Sequence, residues 1–142
     1  MNKSQIEQII PHREDMLLIE TAQLVDGVSK ATYHVRGDEF FLRGHFPGNP
    51  VVPGVILCEM MAQASCLLVD KGSDQSGVSY TPYFTGIDKV KFRHPVRPGD
   101  TITLESTIMR QKHPFYFVKT TAHVGDTLCA QGELSFAVMG DG

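Results

Sequence analysis

Three polar side chains stand where chemistry could be done: His45, Glu59 and Gln63. His45 lies in a stretch crowded with Gly44, Pro47, Gly48, Pro50, Pro53 and Gly54. Proline fixes φ and turns the preceding residue away from helix, so this stretch predicts a rigid extended loop. Glu59 and Gln63 are spaced i,i+4 in an otherwise apolar run, which puts both on one face of a helix. A carboxylate buried there must be paired, protonated or functional, and burial is expected to raise its pKa. Each residue alone reads as structural: a loop histidine is more often satisfied than catalytic, and a buried glutamate can bond loop N–H groups. Together they read as an acid–base pair. The first turn of the helix adds free N–H groups and a positive dipole end, suited to a ligand oxygen that becomes negative. Gly54, without a Cβ, would let that oxygen approach its N–H. Gln63, one turn beyond Glu59, would orient the carboxyl.

The elements that must hold these groups follow from the pattern. No glycine or proline falls between Gly54 and Gly72, and Ala, Leu, Met, Glu and Gln dominate, so a helix is predicted over 54–71. It is apolar nearly all round and needs cover on most sides. Upstream, Ser4 with Glu7 predicts a capping box on a short helix that Pro11 ends. A strand is expected over 16–25, a hairpin turn at Asp26-Gly27, and a returning strand over 28–36 with Ala31, Tyr33 and Val35 on one side. Downstream, strands are expected within 80–92 and over 101–110, 115–124 and 128–139, with turns at Pro98-Gly99-Asp100, at 111–114 and at Gly125-Asp126. Strands, one long helix, then consecutive antiparallel strands argue an α+β fold with the helix packed on a sheet.

With 142 residues the chain reads as one domain spanning 1–142. A net charge of −3 does not point to nucleic acid. No run reaches the length of a membrane span, and the first residues lack the apolar core of a signal peptide. Three cysteines without metal spacing fit a reducing, cytoplasmic location. Cys58 sits in an apolar helix, where a thiolate is disfavoured. The other histidines form no metal-ligand pattern. Lys89, Lys91, Arg93, Arg97, Arg110 and Lys112 read as a solvated face.

The stretch HFPGNPVVPGVILCEMMAQ resembles the signature of the FabZ-type 3-hydroxyacyl-(acyl carrier protein) dehydratases. His45, Phe46, Pro47, Pro50, Pro53, Gly54, Glu59, Ala62 and Gln63 match that pattern in identity and spacing. Pro11-His12-Arg13, Tyr83-Phe84, Gly86-Ile87-Asp88, Phe92 and Pro98-Gly99-Asp100 match further landmarks. Two stretches depart from it: Glu14-Asp15-Met16 replaces an aromatic-containing run, and Met60-Met61 replaces the commoner Ala-Met. The resemblance implies a hotdog fold, a curved antiparallel sheet wrapped around the central helix. It implies reversible dehydration of (3R)-3-hydroxyacyl thioesters on acyl carrier protein to trans-2-enoyl thioesters, in fatty acid biosynthesis. His45 and Glu59 would be the catalytic pair and Phe46, Tyr83 and Phe84 would line the acyl tunnel. The thioester itself acidifies C2, so no organic cofactor is required. Homodimers, assembled as a trimer of dimers, would be the working form. Two other readings stay open at this point: an acyl thioesterase on the same fold, and a non-catalytic acyl-binding protein.

Overall fold

The computed structural model describes residues 1–8, 16–42, 48, 50–68 and 80–140, and leaves out the side chains of residues 80–82, 84, 139 and 140. The described chain runs α1 (Lys3–Glu7), β1 (Thr21–Val25), β2 (Val28–His34), a 3-10 turn (Phe40–Leu42), α2 (Gly54–Cys66), β3 (Tyr80–Phe92), β4 (Thr101–Lys112), β5 (Phe115–Val124) and β6 (Thr127–Gly140). The strands form one six-stranded antiparallel sheet in the order β1-β2-β4-β5-β6-β3. The α+β reading holds, but β3 does not pair with its sequence neighbour β4. It crosses to the far edge and pairs with β6.

Alternation writes the sheet. In β2, Ser29, Ala31 and Tyr33 are buried while Lys30 and His34 are exposed, the period of a half-buried strand. Asp26 (φ 52°) and Gly27 (φ 77°) both take the left-handed region, as a two-residue turn between β1 and β2 demands. The buried faces of β2, β4 and β5 meet α2, whose Leu57, Met60, Met61 and Ala64 enter the core. Met60 and Met61 are fully enclosed; burying such a side chain contributes about 2 kcal/mol. A chain of hydroxyls fixes the helix against the sheet: Ser65 Oγ is 3.0 Å from Ser106 Oγ, which is 2.8 Å from Thr120 Oγ1. All three side chains are buried, so breaking one contact leaves a hydroxyl without its partner in the core.

Several expected boundaries move. α1 is capped by Asn2, not Ser4: its side-chain oxygen accepts the Gln5 N–H, and the Gln5 side-chain oxygen accepts the Asn2 N–H. The helix closes at Glu7, well before Pro11, which lies outside the described residues. β1 begins at Thr21 rather than Met16. Leu17, Leu18 and Ile19 are buried without being strand, because the Leu18 N–H is taken by a side chain of α2. α2 ends at Cys66 instead of continuing to 71, with the Leu68 N–H closing a tighter turn onto the Ser65 carbonyl. No helix among the described residues is long and apolar enough to cross a membrane.

Candidate active site

The site is built from the N-terminus of α2 outward. Pro53 is the N-cap residue, and its carbonyl receives the N–H groups of Ile56 and Leu57. The N–H groups of Gly54 and Val55 therefore precede the first intrahelical bonds. The approach to Pro53 is pinned by the Val52 N–H, which donates to the Val96 carbonyl at 2.8 Å. A cleft of about 430 Å³ opens there, lined by Val51, Gly54, Leu57, Phe92 and His94 among others. Gly54 also has a packing reason to be glycine. A Cβ on it would stand 2.9 Å from the Phe92 ring, closer than two carbons can approach.

Five residues on, Glu59 is half-buried rather than enclosed as its neighbours in sequence suggested. Its Oε1 accepts from Gln63 Nε2 at 3.2 Å, the contact that i,i+4 spacing allows. Gln63 is fully buried, and its amide is used completely. Nε2 also donates to the Met16 carbonyl at 2.6 Å, and Oε1 accepts the Leu18 N–H at 2.7 Å. Gln63 thus ties the Glu59 carboxylate to the chain at residues 16–18. Sequence reasoning found Glu59 and Gln63 but missed Met16 and Leu18, since backbone groups carry no side-chain signal. It also missed Phe92 as the neighbour of Gly54.

The remaining candidates are placed as follows. His45 and Phe46 lie outside the described residues. Phe84 sits on β3 opposite Phe136, its side chain outside the description. Tyr83 is exposed on the same strand; it pairs with Ala137 and Phe92 with Ala130, so within one chain it stands roughly 23 Å along the sheet from Gly54's neighbour. Cys58, beside Glu59 in sequence, is half-buried; burial and then the nearby carboxylate push its thiol up, which disfavours a nucleophilic thiolate. All three cysteines are free thiols. Lys89, Lys91, Arg93, Arg97, Arg110 and Lys112 are all exposed, as read. Among the described residues no three His, Cys, Asp or Glu side chains cluster as a metal site would need.

What this arrangement offers is a carboxyl group held by Gln63 and, five residues before it, a helix N-terminus that opens on a cleft. A FabA-like domain matches residues 10–133. The chain is 38% identical over 139 residues to the 3-hydroxyacyl-[acyl-carrier-protein] dehydratase FabZ of Clostridium perfringens, covering 97% of this chain and 99% of the relative. It is 40% identical over 140 residues to the FabZ dehydratase of Oenococcus oeni, with the same coverage. Among solved structures, the ApeI:P dehydratase heterocomplex of Xenorhabdus doucetiae superposes with a TM-score of 0.81 at 18% identity, over 96% of this chain and 91% of that one. A thioesterase of Haemophilus influenzae superposes at 0.66 with 18% identity, over 86% and 78%. At such identities these two structures speak to the fold alone, and that fold is the hotdog. With the sheet, the enclosed α2 and near-full-length identity in agreement, this chain belongs to the FabA-like family, as a FabZ-type member with the hotdog fold.

Proposed function

We propose that this protein catalyses the reversible dehydration of (3R)-3-hydroxyacyl thioesters, carried on acyl carrier protein, to trans-2-enoyl thioesters in fatty acid biosynthesis. The observation that carries this reading is identity of 38–40% to FabZ dehydratases along almost the whole of both chains. The held carboxyl of Glu59 supports it. Loss of water requires a base at C2, an acid at the C3 hydroxyl and a donor to the enolate-like thioester oxygen. His45 takes the C2 proton. Glu59, oriented by Gln63, protonates the departing hydroxyl. The Gly54 N–H at the start of α2 receives the thioester oxygen as negative charge develops there. No redox change occurs, and the thioester carbonyl acidifies C2.

The working form is a homodimer at least. β3 is an edge strand, and Ile87 and Phe92 on it are 56% and 53% exposed, while Val55 on α2 is 76% exposed. Among the described residues no further strand pairs with that edge, and an open edge next to apolar side chains favours cover by a second copy.

The test is His45→Ala, assayed with a carrier-bound 3-hydroxyacyl thioester and product identification by mass spectrometry. Turnover should fall by about a hundredfold or more. Hydrolysed carrier in place of the enoyl product would establish a thioesterase instead. Near-normal turnover would remove His45 from the mechanism.

A further inference from the structure

Glu39 is a buried carboxylate that no step above uses; its side chain is only 3% exposed. It accepts three hydrogen bonds from one short stretch. Oε2 accepts from the Tyr33 hydroxyl at 2.9 Å and from the Arg36 N–H at 2.9 Å. Oε1 accepts from the Gly37 N–H at 2.8 Å. The Arg36 guanidinium stands 3.9 Å away. Gly37 has φ +119°, a conformation other residues adopt only under strain, and its N–H reaches the carboxylate from that turn. Burial alone would raise the carboxyl, but the Arg36 and Gly37 N–H groups and the Tyr33 hydroxyl hold it below its ordinary value. Burial, then the bond to Glu39, pushes the Tyr33 hydroxyl up, so it stays a donor.

Bonds to two successive backbone N–H groups dictate chain path in a way that apolar packing does not. The path they dictate leads onward. The Glu39 carbonyl accepts the Leu42 N–H at 3.1 Å, closing the Phe40–Leu42 turn, in which Phe41 and Leu42 are buried. Leu42 and Pro50 line one cleft of about 350 Å³ together with Gly37, Asp38 and Glu39. Both stems of the segment between Leu42 and Pro50 therefore stand at the same cleft, with Glu39 in its wall. His45 is three residues beyond Leu42 and five before Pro50 in the sequence.

Resting on the reading of His45 as the base, we propose that Glu39 is a positioning residue: its carboxylate fixes the stem from which the His45 segment departs, and thereby sets the base against its proton. It touches no reacting atom. A general base must lie within hydrogen-bond reach of the proton it removes, and small misplacements far from the chemistry are costly in rate.

The experiment compares Glu39→Gln, Tyr33→Phe, His45→Ala and the double variant Glu39→Gln/His45→Ala, using 3-hydroxyoctanoyl thioester on acyl carrier protein. Each protein is first shown to be folded by near-ultraviolet circular dichroism at the assay temperature. Glu39→Gln turns an amide N–H toward backbone or hydroxyl donors. Its kcat should fall by about tenfold to a hundredfold with KM within about twofold of wild type. Tyr33→Phe removes one of the three donors and should lower kcat by a smaller factor in the same direction; it decides the matter if Glu39→Gln does not fold. In the His45→Ala background, Glu39→Gln should cost nothing further, because a residue acting through His45 has nothing left to act on. A purely structural clamp predicts a lower Tm with unchanged kcat per folded molecule, and that result overturns the proposal. An inactive His45→Ala beside a fully active Glu39→Gln and Tyr33→Phe sinks the positioning role alone. An active His45→Ala sinks the reading of the base, and with it any role of Glu39 through that base.

Discussion

Gln63 does what a glutamate in its place could not: it donates two N–H bonds and accepts one within a buried site. This makes the Glu59–Gln63 pair separable by experiment. Gln63→Leu keeps the volume but strands the buried Leu18 N–H, so stability should fall by about 1–3 kcal/mol in denaturant titration, and turnover should fall with it. Glu59→Gln keeps shape and most hydrogen bonding. Its stability should stay near wild type while turnover drops by about 10²–10⁴-fold, the usual worth of a positioned proton donor. A Glu59→Gln protein with full turnover removes the acid role. Glu39 makes a different prediction. Its carboxyl is held below the ordinary value of 4.5 in the folded protein. It therefore contributes stability above that value and loses it as pH falls through the lower folded value. The Tm gap between wild type and Glu39→Gln should be full at neutral pH and close on acidification below about 4.5. A gap independent of pH would mean the charge contributes nothing.

At the scale of elements, local chemistry was legible and competition between partners was not. Asp26-Gly27 can hardly be anything but a hairpin turn, and the alternation of Ala31, Tyr33 and Val35 survives intact in the burial of all three. The start of α2 was legible because Pro53-Gly54 marks it, and Glu59 with Gln63 was legible because two polar residues stand out in an apolar run. The end of α2 was not, because Leu67, Leu68 and Val69 continue the same apolar run in any register. The 16–20 stretch has strand composition, yet Leu18 gives its N–H to Gln63, 45 positions away. No local pattern announces such a bond. The same holds for β3, whose partner β6 follows it by two intervening strands. Gly54 shows how two reasons can coincide at one position. The sequence pointed to a ligand oxygen, and the structure adds the Phe92 ring, whose Cζ would lie 2.9 Å from a Cβ. Gly54→Ala should cost about 1 kcal/mol, since the ring is half-exposed and able to give way. Adding Phe92→Ala should relieve that clash. If the stability returns while turnover does not, the glycine serves the substrate as well as the packing; if both return, packing was its whole purpose.

For the molecule as a whole, three exposed apolar side chains bear on the proposed homodimer. Val55 stands on α2 one turn before Glu59, and Ile87 and Phe92 stand on the edge strand β3. Under the proposed dehydration, the family resemblance implies that His45 of one subunit meets Glu59 of its partner at each of two symmetric sites. Such sharing has a consequence that no single variant reveals. Let inactive His45→Ala and inactive Glu59→Gln proteins be unfolded together and refolded. A mixed dimer then holds one site with both defects and one site with neither. Random pairing makes half the dimers mixed, each with one of its two sites intact, so activity should return to roughly a quarter of wild type. If the pair instead lies within a single chain, every site in a mixed dimer carries one defect and nothing returns. Mixing the folded proteins without subunit exchange is the control. Native mass spectrometry, by mass difference between the variants, establishes that mixed dimers have formed. Mixed dimers without recovered turnover would place both residues in one chain.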